Sequence, residues 1–249
     1  MKIPFPKSKA EVAETAYESI FKISDRLRNY FRLEVEGLEN IPSNDGALII
    51  PNHSGFMGFD AVMIKNIFRR DLDNKSLALF AHRFYFELNQ IIKRIVEKFE
   101  MHRAGFNNGI KVLESGQSLL LFPEAEAGNF KSSLQKYQLQ RFHTGFARLA
   151  ILSNAPVVPC LVMGAEESNF NIGNIDFSRF VKNFRFPLPL NPMPLPAKWK
   201  IRFLKARTFN EDPIRAYQSE VLQRICRDLR EEMQYELNLM LKNRPSVYF

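Results

Sequence analysis

Two cysteines in 249 residues, Cys160 and Cys226, are too few for a disulfide framework and lack the spacing of a metal site. Cys160 lies in an apolar run and reads as a small core residue. A reducing compartment is the expectation. Long apolar runs are missing too: no stretch approaches the roughly 18 residues of a membrane span. The opening "MKIPFPKSKAEVAETAYESIF" holds no uninterrupted apolar segment of signal-peptide length. If the protein meets a membrane, it is expected to lie on it. There is no G-x-S-x-G nucleophile motif, no G-x-G-x-x-G, and "GFNNGIK" is not a phosphate-binding P-loop. His82, His102 and His143 have no ligand spacing, so no metal is expected. No internal repeat is visible.

What is present is a 45% hydrophobic composition with 23 phenylalanines, enough for a sizeable core. Lys and Arg outnumber Asp and Glu by 35 to 27, a formal charge of +8. Such a surface suits phosphate groups, nucleic acid or an acidic bilayer, or is ordinary solvated charge. The aromatic–basic pattern of known nucleic-acid modules is absent, so no nucleic-acid partner is expected. The denser basic clusters are Lys65, Arg69, Arg70 and Lys75, then Lys198, Lys200 and Arg202.

Along the chain, Val12, Ala16, Ile20, Ile23, Leu27 and Tyr30 or Phe31 recur at spacings of three and four, which predicts an amphipathic helix over 9–33. Its stripe suits packing on its own domain or contact with a membrane. "IPSNDG" is turn chemistry before the buried strand "ALIIP". "SLALFA" (76–81), "SLLLF" (118–122) and "PVVPCLVM" (156–163) read as further strands, with helices predicted over 84–101, 107–115 and "TGFARLAILSNA". The strands are apolar throughout, as expected when both faces are covered. This rhythm predicts an α/β fold: a central, mostly parallel sheet flanked by helices. From 184 to 200 the proline-rich "FRFPLPLNPMPLPAKWK" suggests an extended, ordered loop. "WKIRFL" is a possible last strand, and 213–242 a long amphipathic helix that includes Ile214 and Tyr217 on its apolar face.

Functional residues gather where strands of such sheets end. "NHSGFMGFD" follows the first buried strand. On one continuous helix His53 and Asp60 would stand about 10 Å apart along the axis. Gly55 and Gly58 let the backbone curl so that the acid returns to the imidazole. A carboxylate-oriented imidazole is the base half of a triad; with no nucleophile motif beside it, it suits direct activation of a substrate hydroxyl. A satisfied loop histidine is the alternative. In "LFPEAEAGNFKSS", Glu124, Glu126 and Lys131 suit either a polar head group or plain solvation. In "MHRAGF", Arg103 suits an anion.

Taken in order, "VEGLENIP…NHSGFMGFD", "MHRAGF", "LLLFPEAEAG" and "APVVPCLVMGAEES" resemble the lysophospholipid acyltransferase family, over roughly residues 34–208. The resemblance implies acyl transfer from acyl-CoA or acyl carrier protein to the hydroxyl of a lysophospholipid or related lipid, with no other cofactor. It implies His53 as general base, Asp60 as its orienting acid and Arg103 as the arginine holding acceptor phosphate. Glu124 matches the glutamate of the third block, with Lys131 near it on the substrate side, and Pro159 falls in the fourth block. It also implies a peripheral protein on the inner, cytoplasmic membrane face, its N-terminal helix anchoring at the interface. A single acyltransferase domain over 1–249 is expected: the helix 1–33, an α/β core 34–208 and a C-terminal helix 209–249. Oligomeric state is open. Two departures stand out. The common family spacing is H-x4-D, whereas six residues separate His53 from Asp60. The family's Phe-Pro-Glu-Gly is replaced by Ala125-Glu126-Ala127 after Glu124, which adds a negative charge that Lys131 would have to offset for a phosphate acceptor.

Overall fold

Ala47, Leu48, Ile49 and Ile50 are all fully buried, and they fall alternately into two cores. Leu48 and Ile50 enter one, Ala47 and Ile49 the other. That division is what a strand covered on both faces produces. A computed structural model describes residues 8–43, 46–53, 58–73, 75–81, 84–87, 89–129, 131–176, 185–191 and 193–248.

The chain runs α1 (Lys9–Tyr30), β1 (Glu34–Glu36), β2 (Leu48–Pro51), α2 (Phe59–Arg70), β3 (Leu77–Ala81), α3 (Phe84–Glu87) and α4 (Gln90–Lys98). It continues through β4 (Met101–Arg103), α5 (Phe106–Glu114), β5 (Ser118–Leu120), α6 (Glu126–Asn129), α7 (Gly145–Ser153) and β6 (Val157–Met163). It ends with α8 (Ala165–Ser168), β7 (Asn171–Asp176), β8 (Arg185–Pro189), β9 (Lys200–Phe203) and α9 (Ser219–Lys242). Seven strands form one sheet in the order β1-β9-β6-β2-β5-β3-β4, and β7 and β8 form a separate hairpin. β6, β2, β5, β3 and β4 are mutually parallel, while β9 runs antiparallel to β6 and carries β1 parallel to itself. The expected mostly parallel α/β sheet is therefore observed. From β2 the chain goes to one side for β3 and β4, returns to insert β5, then crosses to the other side for β6. Loops leaving β2 and β5 thus open a crevice at the carboxyl edge, where such sheets place ligands.

One core packs α5, α7 and α9 against the sheet; the other packs α2 and the end of α1. α1 starts with a capping box, in which Glu11 N–H donates to Ser8 Oγ (3.2 Å) and Ser8 N–H to the Glu11 carboxylate (2.7 Å). Its Phe21 stacks on Phe99 at 5.3 Å, and Arg70–Asp25 (3.2 Å) and Arg28–Asp71 (2.8 Å) pair it with α2 and its C-cap. The residues that α1 buries against the domain are Ala13, Phe21 and Ser24; of the predicted stripe, Val12, Ala16, Ile20 and Leu27 are half-buried, and Ile23 and Tyr30 are exposed.

Several boundaries differ from expectation. The helix expected over 84–101 is two shorter helices followed by β4, because Asn89 caps a new start by accepting from Ile91 and Ile92 N–H. The extended loop expected over 184–200 contains β8, paired to β7. The helix expected over 213–242 begins only at Ser219. Pro213 starts a separate 3-10 turn, whose Ile214 and Tyr217 are exposed rather than facing the core. The basic clusters are also largely consumed internally. Lys65 is buried against Glu100, Arg69 meets Glu18, Lys200 bridges Glu34 and Glu36, and Arg202 reaches Glu36.

Both cysteines are buried. Burial pushes the Cys160 thiol well up, and the nearby Asp60 charge adds to it; burial pushes Cys226 up to about 12. A thiolate is the reactive species. Neither cysteine is expected to react with Ellman's reagent in the native protein near neutral pH, and both should react in denaturant. A fast-reacting native thiol would contradict this packing.

Candidate active site

β2 ends at Pro51, and the next two residues set up the site. Asn52 is fully buried and closes a two-way bridge to β6: its Nδ2 donates to Val162 O (3.1 Å) and its Oδ1 accepts from Val162 N–H (2.7 Å). His53 is thereby fixed at the sheet's carboxyl edge. Its Nδ1 lies 2.7 Å from Asp60 Oδ2. Gly58, at φ 74°, turns the chain into α2 and puts Asp60 in the first turn. This left-handed turn suits glycine, and a carboxylate there meets the positive helix end. Gly55 lies outside the described residues. Asp60 is fully buried, while the His53 side chain keeps 15% exposure. The Phe122 ring stacks on the imidazole, centroids 3.9 Å apart.

Glu124 leaves the neighbouring strand β5. It is fully buried, and both its oxygens are used on the main chain. Oε1 accepts from His53 N–H (3.0 Å) and Oε2 from Gln140 N–H (2.6 Å). Lys131 is buried as well, with Nζ 3.8 Å from Glu124 Oε2 and 2.9 Å from Glu166 Oε1. Glu166 in turn accepts from Tyr137 N–H (2.7 Å). Burial pushes the Glu166 carboxyl above its ordinary value, and Lys131 opposes that rise. A lysine shared by two carboxylates, with main-chain N–H groups saturating the other oxygens, is how such charges are held out of water. Ala125 sits at φ 49°, in the left-handed region, where the resembled family pattern has glycine.

The structure thus brings His53, Asp60, Glu124 and Lys131 into one connected set. Arg103 stands apart. It ends β4 at the sheet edge, three strand spacings or ~14 Å from β2, half exposed, 3.8 Å from Glu87 and over the Phe86 ring. Glu126 is exposed on α6, whereas Lys131 points inward and is engaged with Glu124 and Glu166. Asn52, Phe122 and Glu166 were not singled out from sequence. The usable signal was a polar or ring residue just past the end of a buried strand. Among the described residues, no group of three or more His, Cys, Asp or Glu could hold a metal ion, and no helix is long and apolar enough to cross a membrane.

Gly128 packs between the two halves of the site. A Cβ there would lie 2.8 Å from Glu124 Cβ and 2.9 Å from His53 Cβ, inside contact distance. Gly128→Ala should force the two apart, costing about 1–3 kcal/mol by overpacking and at least tenfold in any activity that needs His53. A thermal melt and a rate together check this; unchanged values would mean the contact is looser than it looks.

A family model described as Acyltransferase matches residues 32–163. Uncharacterized proteins of Mycobacterium tuberculosis (strain ATCC 25618 / H37Rv) and Mycobacterium leprae (strain TN) are each 30% identical over 240 residues, which cover 89% of this chain. The aligned parts cover 65% and 64% of those proteins, so the chain spans just under two thirds of their length. The crystal structure of the 1-acyl-sn-glycerophosphate (LPA) acyltransferase PlsC from Thermotoga maritima superposes with a TM-score of 0.60. It covers 97% of this chain and 86% of that one at 17% identity, a likeness of fold. The matched segment carries β1 to β6, the His53–Asp60 pair and Glu124, and by that match the chain belongs to the acyltransferase family.

Proposed function

We propose that the protein transfers a fatty acyl group from an acyl thioester, carried by coenzyme A or acyl carrier protein, to the hydroxyl of a lipid acceptor at a membrane surface. The observation that carries this reading is the 2.7 Å contact between His53 Nδ1 and Asp60 Oδ2 at the carboxyl edge of the sheet. With Nδ1 engaged by the carboxylate, Nε2 is the basic nitrogen. His53 Nε2 takes the proton from the acceptor hydroxyl, and the oxygen attacks the thioester carbonyl. As the tetrahedral intermediate collapses, the C–S bond breaks and the imidazolium gives its proton to the leaving sulfur, so a thiol departs and His53 is neutral again. Asp60 stabilises that imidazolium. Glu124 holds the His53 main chain, and Lys131 holds Glu124; these two act as positioning residues. Arg103, at the far edge beside Glu87, would meet only a distal part of the acceptor, such as its phosphate. With Lys131 internal, Glu126 adds an exposed charge beside the site, which favours acceptors without a phosphate near the reacting hydroxyl.

The test is thiol release from acyl-CoA and from acyl carrier protein against lyso-lipids with and without phosphate. Acceptor-dependent release is expected, faster with the phosphate-free acceptors. Asp60→Asn should lower kcat about 10²–10⁴-fold, since the imidazole loses its orienting acid, while acceptor KM stays within a few-fold. Release in no combination, with lipid binding intact, would instead mean a non-catalytic lipid-binding member of the family.

A further inference from the structure

Lys198, Lys200 and Arg202, the second basic cluster of the sequence, line one cavity together with Arg244 from just beyond α9. It measures about 110 Å³, and the single acid on its wall is Glu34. Sheet register puts it at the carboxyl edge: Lys200 pairs with Met163, the last residue of β6, which is also on the wall. β9 lies two strand spacings, ~10 Å, from β2, whose end carries His53. Most of the charge is matched. Lys200 meets Glu34 (3.4 Å) and Glu36 (2.5 Å), Arg202 meets Glu36 (2.7 Å), and Arg244 Nη1 meets Glu167. Two groups remain. Lys198 Nζ donates to Ser246 Oγ (3.0 Å) and, among the described residues, meets no carboxylate. The Arg244 side chain is only 6% exposed. Its Nη2 donates to Lys198 O (2.9 Å) and Val247 O (3.2 Å), yet its Nε is buried with no partner among the described residues.

A buried donor without an acceptor marks a place where an ion or water completes the bonding, and here it shares a cavity with a lysine that no acid neutralises. We propose that this cavity binds a phosphate group, held by Arg244 Nε and Lys198 Nζ. A cavity of ~10–15 Å³ already holds a water, so this one admits a tetrahedral oxyanion. Charge-assisted hydrogen bonds from arginine and lysine are the usual means of holding one. The C-terminal end of α9 lies beside the cavity and opposes an anion with about half a unit charge. Lys198 outweighs it with a full one. Two carbonyls at that end, Leu239 O and Leu241 O, are already taken by Asn243 N–H (3.0 Å) and Arg244 N–H (3.3 Å). A free phosphate ion, the head group of a lipid acceptor and the nucleotide end of a coenzyme A donor all present this chemistry. The last two sources rest on the proposed acyl transfer; the site itself does not.

The experiment is equilibrium dialysis of the full chain against radiolabelled inorganic phosphate at fixed ionic strength, for wild type, Lys198→Ala, Arg244→Lys and Arg103→Ala. Wild type should take up one phosphate per chain, saturably. Lys198→Ala and Arg244→Lys should each weaken uptake about tenfold or more, the worth of one charge-assisted hydrogen bond. Arg244→Lys keeps a cation for Glu167 but has no Nε donor. Lys198→Ala loses only the Ser246 contact, so it should melt like wild type, and its loss of binding is then not unfolding. Arg103, exposed and beside Glu87, should not matter, and Arg103→Ala should bind like wild type. Competition identifies the source. Stronger displacement by adenosine 3′,5′-bisphosphate than by phosphate itself assigns the site to the donor, and stronger displacement by sn-glycerol 3-phosphate assigns it to the acceptor. If neither exceeds phosphate, the ligand is the free ion. No saturable uptake, undiminished uptake by Lys198→Ala, or uptake abolished by Arg103→Ala overturns the proposal. A protein that binds phosphate here but turns over no thioester would remove the acyl transfer and keep the site.

Discussion

Replacing His53 by alanine is expected to lower acyl transfer by about 10²–10⁴-fold, the usual worth of a positioned general base. The fold should survive. The His53 side chain is partly exposed, and its structural bond to Glu124 runs through the backbone N–H, which alanine keeps. Phe122 loses its stacking partner, a contact worth about 0.5–1.5 kcal/mol, and buried Asp60 loses its imidazole contact, about 1–3 kcal/mol, together less than a total stability of about 5–15 kcal/mol. A variant that melts near wild type but transfers no acyl group assigns the loss to chemistry. A His53→Ala protein with wild-type turnover would make the imidazole a packed loop residue.

Glu124→Ala should do the reverse, striking stability first. The substitution strands the His53 and Gln140 N–H donors and removes one of the two carboxylates around buried Lys131. Breaking a buried ion set from one side costs about 3–5 kcal/mol. For a chain of this size that corresponds to a melting temperature lower by about 10 °C. At temperatures where the variant stays folded, turnover should still fall about 10²-fold, as a displacement near 1 Å at the base produces. Glu124→Gln keeps a carbonyl acceptor for one of the two N–H donors and should fall between. If Glu124→Ala melted like wild type and only acceptor KM rose, the carboxylate would be contacting substrate instead of holding the loop.

The central strands were legible because they are apolar without alternation: "ALIIP", "SLLLF" and "PVVPCLVM" can be buried only with both faces covered. β1 and β4, with three residues each, present no period to detect. β7 and β8 gain their identity from pairing with each other across a long connection, which composition cannot show. α2 was hidden behind its charges. "FDAVMIKNIFRR" draws the eye to a basic cluster, yet Lys65 is buried against Glu100 and Arg70 pairs with Asp25. At the site, His53, Gly58 and the acid seven positions after His53 were visible, and the turn at Gly58 leads into the 2.7 Å contact. What Glu124 and Lys131 touch was not visible. Both sit in a small-residue loop whose text suits solvent, and only the return of residues 137–140 and of Glu166 encloses them.

The most direct measurement follows the ester and the thiol together. Purified protein is mixed with an acyl thioester and a vesicle-borne lyso-lipid, and free thiol and newly acylated lipid are quantified over time for wild type and His53→Ala. The prediction is one thiol released per ester formed, with both losing rate equally in His53→Ala. Thiol release without ester, or ester formation that persists in His53→Ala, would contradict transfer to a lipid hydroxyl by this histidine.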